Sequence, residues 1–159
     1  MAETLGSLCD KLTVVKLKQF HSENSEAQQS LAIQEKQLQD EINEYFDSAI
    51  SGLIPLEKLT FAANKIYKKE GNVAPDAQGN IGEIFAQLAQ VNCKLWHEQE
   101  KVYDFEIILP NEKNKVVKHL ALLNLERNKC IDAIDKQFQK FVKQYHTNIQ
   151  FFKGDDKCI

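Results

Sequence analysis

Six Gly and three Pro among 159 residues leave this chain few places to break a helix. That share is far below the level of collagen-like or Pro/Gly-rich disordered chains. No stretch approaches the ~20 consecutive apolar residues of a membrane span. The start, Met1-Ala-Glu-Thr-Leu-Gly-Ser, lacks the basic opening and apolar run of a signal peptide, so the chain reads as cytoplasmic, with no membrane partner. The four Cys (Cys9, Cys93, Cys130, Cys158) show no C-x-x-C spacing, which argues against a zinc knuckle or a disulfide framework. Cys158, second from the end, is not a prenylation signal. No Gly-rich phosphate loop, G-x-S-x-G elbow, H-E-x-x-H or nucleotide-binding fingerprint occurs. Arginine is almost missing: of 20 basic residues only Arg127 is Arg.

What is present suits one folded domain spanning 1–159, with 43% hydrophobic and 27% charged residues and a net charge of −3. Residues 1–110 carry 10 basic and 17 acidic side chains, residues 111–159 carry 10 and 6. The Lys of the second part are scattered around a helix among Asp and Glu. That is a solvated face or a complement to the acidic part, and no nucleic-acid partner is expected.

The apolar periodicity is helical almost throughout, and predicts an all-α antiparallel bundle of about five helices with a long C-terminal helix. Leu5, Leu8, Leu12 and Val15 share one face of a first helix over 4–21. Asn24 or Ser25 caps a second, with Gln28 completing a capping box; it runs to about Ser51 with Leu31, Leu38, Ile42, Phe46 and Ile50 inward and Gly52 ending it. A third helix follows Pro55 through Leu59, Ala62 and Ile66. Residues 71–80 form a loop. Asn80 and Glu83 box a fourth helix to about Tyr103, with Ile81, Leu88, Leu95 and Val102 in one inward row and Phe85, Asn92 and Gln99 in the next. Residues 104–110 read as a short extended connection. The last helix runs from about 111 to 148, before a frayed tail at about 149–159.

The last helix repeats every seven residues: Leu120, Arg127, Ile134, Phe141 in one row and Asn124, Ile131, Phe138, Tyr145 in the other. Such a seam requires a partner helix. At roughly 55 Å against roughly 35 Å, it outruns the fourth helix. Its aromatic end, Phe138, Phe141, Tyr145, Phe151 and Phe152, is expected to pair with a second copy or to fold back under the first helix.

Polar residues interrupt both seams in one layer. With the fourth and last helices antiparallel, Asn92 faces Asn124 to Arg127, and a buried polar group costs about 1–3 kcal/mol unless paired. A hydrogen-bonded network centred on Arg127 is expected, whose planar fork Lys cannot replace. Trp96 and His97 lie nearby. Glu41 with Glu44, Asp132 with Asp135, and Glu100 have the spacing by which helical bundles hold divalent metals.

At Asn92-Cys-Lys-Leu-Trp-His-Glu-Gln-Glu and Leu123-Asn-Leu-Glu-Arg-Asn-Lys-Cys-Ile-Asp-Ala-Ile-Asp, the chain resembles a bacterial family of unknown function. That family's pattern is Trp-His-x-Glu-Asp on one helix and Asn-Gln-x-Arg-x-Asp-x-x-Glu-x-Ile-Asp on the next. Leu8-Cys-Asp-Lys-Leu-Thr-Val-Val-Lys-Leu-Lys is similar to the Asp-Lys-Leu-Thr-Ile-Leu-x-x-Lys opening of a related uncharacterised group. Trp96, His97, Asn124, Arg127 and Asp135 match, and Asp132 stands where the pattern has Glu. Gln99, Glu100, Leu125 and Lys129 depart from it, so two acidic positions are lost. The resemblance implies an all-helical bacterial cytoplasmic protein and supplies no activity.

The leading expectation is a non-enzymatic interaction or assembly module acting as a homodimer, without a cofactor. One alternative is a metal-dependent nucleotide pyrophosphohydrolase-like enzyme using Mg or Mn on the paired carboxylates, with Arg127 neutralising charge. Another is a binder of an anionic sugar or phosphate between the fourth and last helices, lined by Trp96, Asn92, Asn124 and Arg127.

Overall fold

A computed structural model describes residues 3–61 and 71–155. The described residues form four α-helices and one 3₁₀ turn, with no strand: α1 Leu5–His21, α2 Ser25–Ile50, the turn Leu56–Lys58, α3 Ile81–Tyr103 and α4 Pro110–Asp155. This is one α-helix fewer than expected. The predicted third helix falls mostly on residues 62–70, outside the described residues; its start is only the 3₁₀ turn after Pro55 and the buried Leu59.

Local chemistry sets most of the ends. Thr4 and Ser7 form a reciprocal capping box on α1. Asn80 and Glu83 do the same on α3, as their spacing implies. On α2 the cap is Asn24, but Gln28 does not close a box: its amide donates to the carbonyls of Gln19 and Ser22, at 2.5 and 2.7 Å, and so ties α2 to the end of α1. Gly52, with φ of +79°, follows the end of α2, where a Cβ would be strained. The connection 104–109 is a series of turns instead of an extended segment. Ile107 and Leu109 are exposed there with no neighbouring strand to pair with, and Pro110 opens α4 as a first-turn proline. The helix then continues to Asp155, past the expected end.

α1 packs against the other three α-helices, and α4 reaches α1, α2 and α3. α3 and α4 are antiparallel in nearly the expected register: Glu98 faces His119 at one end and the Gly79 carbonyl accepts from Gln137 at the other. The core joins Leu5 and Cys9 of α1, Ala49 of α2, Ile84 and Leu88 of α3, and Cys130, Ile131, Ile134, Phe138 and Val142 of α4.

The aromatic end of α4 corrects one expectation. Phe138 is fully buried, 4.6 Å centroid to centroid from Phe46 and 6.0 Å from Tyr45, both on α2. Thus Phe138 of that end is covered within the chain, by α2. Phe141 stays exposed because α3 begins opposite about Gln137 and does not extend past it, while the buried side chains pass from Ile131 and Ile134 through Phe138 to Val142.

Candidate functional site

Gly6, Asp10 and Thr13 fall at i, i+4 and i+7 on α1, a stripe of small and polar residues beside the apolar face. Asp10 is 3% exposed and is the acceptor at the centre of the polar layer. Arg127 Nε donates to Asp10 Oδ1 at 2.7 Å, and an Nη of the same guanidinium donates to Oδ2. Asn92 Nδ2 reaches Asp10 Oδ1 at 2.8 Å and Thr13 Oγ1 at 2.7 Å, while the Thr13 hydroxyl donates to the Asp10 carbonyl. Three helices therefore meet on one carboxylate. The hydrogen bonds that Arg127 donates to Asp10 raise the Arg127 pKa further, against the effect of burial. The expected network around Asn92 and Arg127 exists, but its acceptor comes from α1.

Asn124 is not part of it. Its amide donates to the Leu120 carbonyl of its own helix at 3.0 Å. Trp96 and His97 belong to a separate, more exposed group: the Trp96 indole N–H donates to Glu100 Oε1 at 2.9 Å, and His97 Nδ1 lies 3.2 Å from Glu100 Oε2. The His21 ring stacks on Trp96 at 4.7 Å. The His97 hydrogen bond, larger than the opposing desolvation, holds the Glu100 pKa below its ordinary value, with a lesser lowering from the Trp96 indole.

The carboxylates nominated for a metal are dispersed. Asp135 is buried at the start of α1, where Oδ1 accepts from the Gly6 N–H at 2.7 Å. Burial pushes its pKa up to about 6, opposed by that N–H and by Thr4. Asp132 lines a cleft with Asp76, Lys129 and Lys136; Glu41 lines a groove between α1 and α2; Glu44 is exposed; Glu100 is held as above. Among the described residues no three His, Cys, Asp or Glu side chains converge where they could hold a metal ion. Helical spacing put these groups on the right faces, but each face meets a different neighbour.

Neither Glu98 nor Tyr45 was singled out from the sequence. Glu98 is buried against Lys101 at 2.8 Å and His119 at 3.3 Å, and these partners outweigh burial and lower its pKa. The Tyr45 hydroxyl and Asp135 Oδ2 are both buried without a hydrogen-bond partner, and the Asp135 charge adds to burial in raising the Tyr45 pKa to about 12. Cys9 and Cys130 are raised by burial to about 12 and about 11, so both are neutral thiols unsuited to nucleophilic attack. The signal for Asp10 was legible: it is the only acid in α1 and Arg127 the only arginine in the chain, so each needs a partner of the other's charge once buried.

No described helix is long and apolar enough to cross a membrane. No family model matches the sequence, and neither the curated proteins nor the solved structures compared with it gave a match. The resemblance to the bacterial family is therefore supported only as far as its all-helical fold.

Proposed function

We propose that the protein is a non-enzymatic interaction module that acts as a homodimer through the face shared by α2 and the second half of α4. The observation that carries this reading is the exposed aromatic set at that end: Phe141 and Tyr145, with ring centroids 6.5 Å apart, and the partly exposed Phe46. They continue onto the surface the aromatic packing that buries Phe138. Charge favours a second copy as the occupant. Exposed Glu44 and Asp47 flank Phe46 on α2, while exposed Lys140 and Lys143 flank Phe141 on α4. A two-fold contact would set the acidic α2 of one copy against the basic α4 of the other.

The polar layer supports a structural role beside this interface. Arg127 spends its fork on Asp10, so its charge is already paired. Light scattering after size exclusion is expected to give twice the chain mass. The double substitution Phe141→Lys, Tyr145→Lys is expected to give the single mass with an unchanged helical circular-dichroism spectrum. A strict monomer at high protein concentration would overturn the reading.

A further inference from the structure

The seam between α1 and α2 holds a groove that Arg127 of the polar layer edges at one end. One half, about 360 Å³, is floored by Val14, Val15 and Leu38. The other, about 480 Å³, is walled by Ala27, Leu31 and the His21–Trp96 stack. Lys18 and Gln34 line both halves and so stand at their junction. Each half falls in the size range of small-molecule sites, and each combines an apolar patch with polar and charged side chains around it.

The charges around the groove are not equivalent. Arg127 is paired with Asp10, and Lys11 with Glu3 at 2.9 Å. Lys18 has no ion-pair or hydrogen-bond partner among the described residues, and neither does Glu41 at the far end. At 1.5 Å per residue, the seven residues from Gln34 to Glu41 put that carboxylate roughly 10 Å along α2 from the junction. An anion placed at Lys18 therefore meets a cation without a partner among the described residues and an adjacent amide, while the acid that lines the groove, Glu41, stands at its far end.

We propose that this groove binds an aromatic monocarboxylate, with its carboxylate on Lys18 and Gln34 and its ring in the apolar half bounded by Leu31 and Trp96. A single carboxylate matches a single free ammonium. A flat apolar body matches walls made of Ala, Leu and an aromatic edge. A dianion such as a phosphate monoester would leave one of its charges unmatched.

Trp96 is the chain's only tryptophan, so its emission reports on this half of the groove alone. Titration with 3-phenylpropanoate is expected to change that emission saturably, and the neutral 3-phenylpropanol is expected to bind at least about tenfold more weakly, the size of one lost charge-assisted hydrogen bond. Lys18→Gln, at an exposed position, is expected to keep the melting temperature and to weaken the carboxylate to the level of the alcohol. Leu31→Phe fills the apolar half without adding a second tryptophan and is expected to abolish the response to both. No saturable change, equal binding of acid and alcohol, or an unaltered titration in Lys18→Gln would each overturn the proposal. These outcomes are independent of the oligomeric state.

Discussion

Arg127 donates to both oxygens of Asp10, a two-bond geometry that a single ammonium cannot reproduce. Arg127→Lys is therefore expected to cost about 1–2 kcal/mol in urea unfolding, and Arg127→Ala about 3 kcal/mol, because Ala leaves a buried carboxylate uncompensated. Asp135 acts in the opposite sense. Its folded pKa of about 6 lies above the ordinary value of 3.8, so the folded chain holds a proton that the unfolded chain has released across that interval. The stability contribution of this group is present at low pH and is lost as pH rises from about 4 through about 6. Asp135→Asn, which keeps an oxygen for the Gly6 N–H, is expected to gain on the natural protein over that window and to hold a constant advantage above about pH 7. Thermal melts at several pH values check this. The lone Arg pointed to its own importance from composition alone, whereas the shift at Asp135 could not be read, since its burial depends on where α1 starts.

α1 lies against α4 at Gly6, where an added Cβ would sit 2.5 Å from the Ile131 carbonyl oxygen and 3.0 Å from Asp135 Oδ1. A helical Gly→Ala change is ordinarily stabilising by about 1 kcal/mol. Here the added methyl would push α1 away from α4, loosening the Asp135 contact and the Asp10–Arg127 pair one turn further on. Gly6→Ala is therefore expected to destabilise by about 1–3 kcal/mol in chemical denaturation, the cost of overpacking. On α2 and α4, Phe138→Ala is expected to cost about 3–5 kcal/mol, since Phe46 and Tyr45 close over that ring and cannot fill its volume. The same elements show what periodicity could say. It located α1, α2 and α3 to within a residue or two, because caps such as Asn24 and Asn80 are local signals. It left Phe138 uncovered beyond the fourth helix, whereas α2 buries that ring, because which helix crosses that end is not a local signal.

For the whole molecule, a dimer through Phe46, Phe141 and Tyr145 predicts a melting temperature that rises with protein concentration. The trend is expected to vanish in the Phe141→Lys, Tyr145→Lys protein, as mass action requires. Charge distribution follows the same large-scale division. The acidic front of the chain supplies Asp10, and the basic last helix supplies Arg127, so part of the imbalance closes inside the bundle. The scarcity of breakers, the caps and the helical periodicity fixed the all-α class and most helix ends, because each depends only on residues a turn or so apart. Composition also nominated Arg127. Tertiary packing alone decided that the polar layer's acceptor is Asp10 of α1, that Glu41, Asp132, Asp135 and Glu100 face four different surroundings, and that α2 covers Phe138. Those outcomes depend on which helix crosses which. Side chains more than a hundred positions apart, such as Asp10 and Arg127, meet only once the helices have packed.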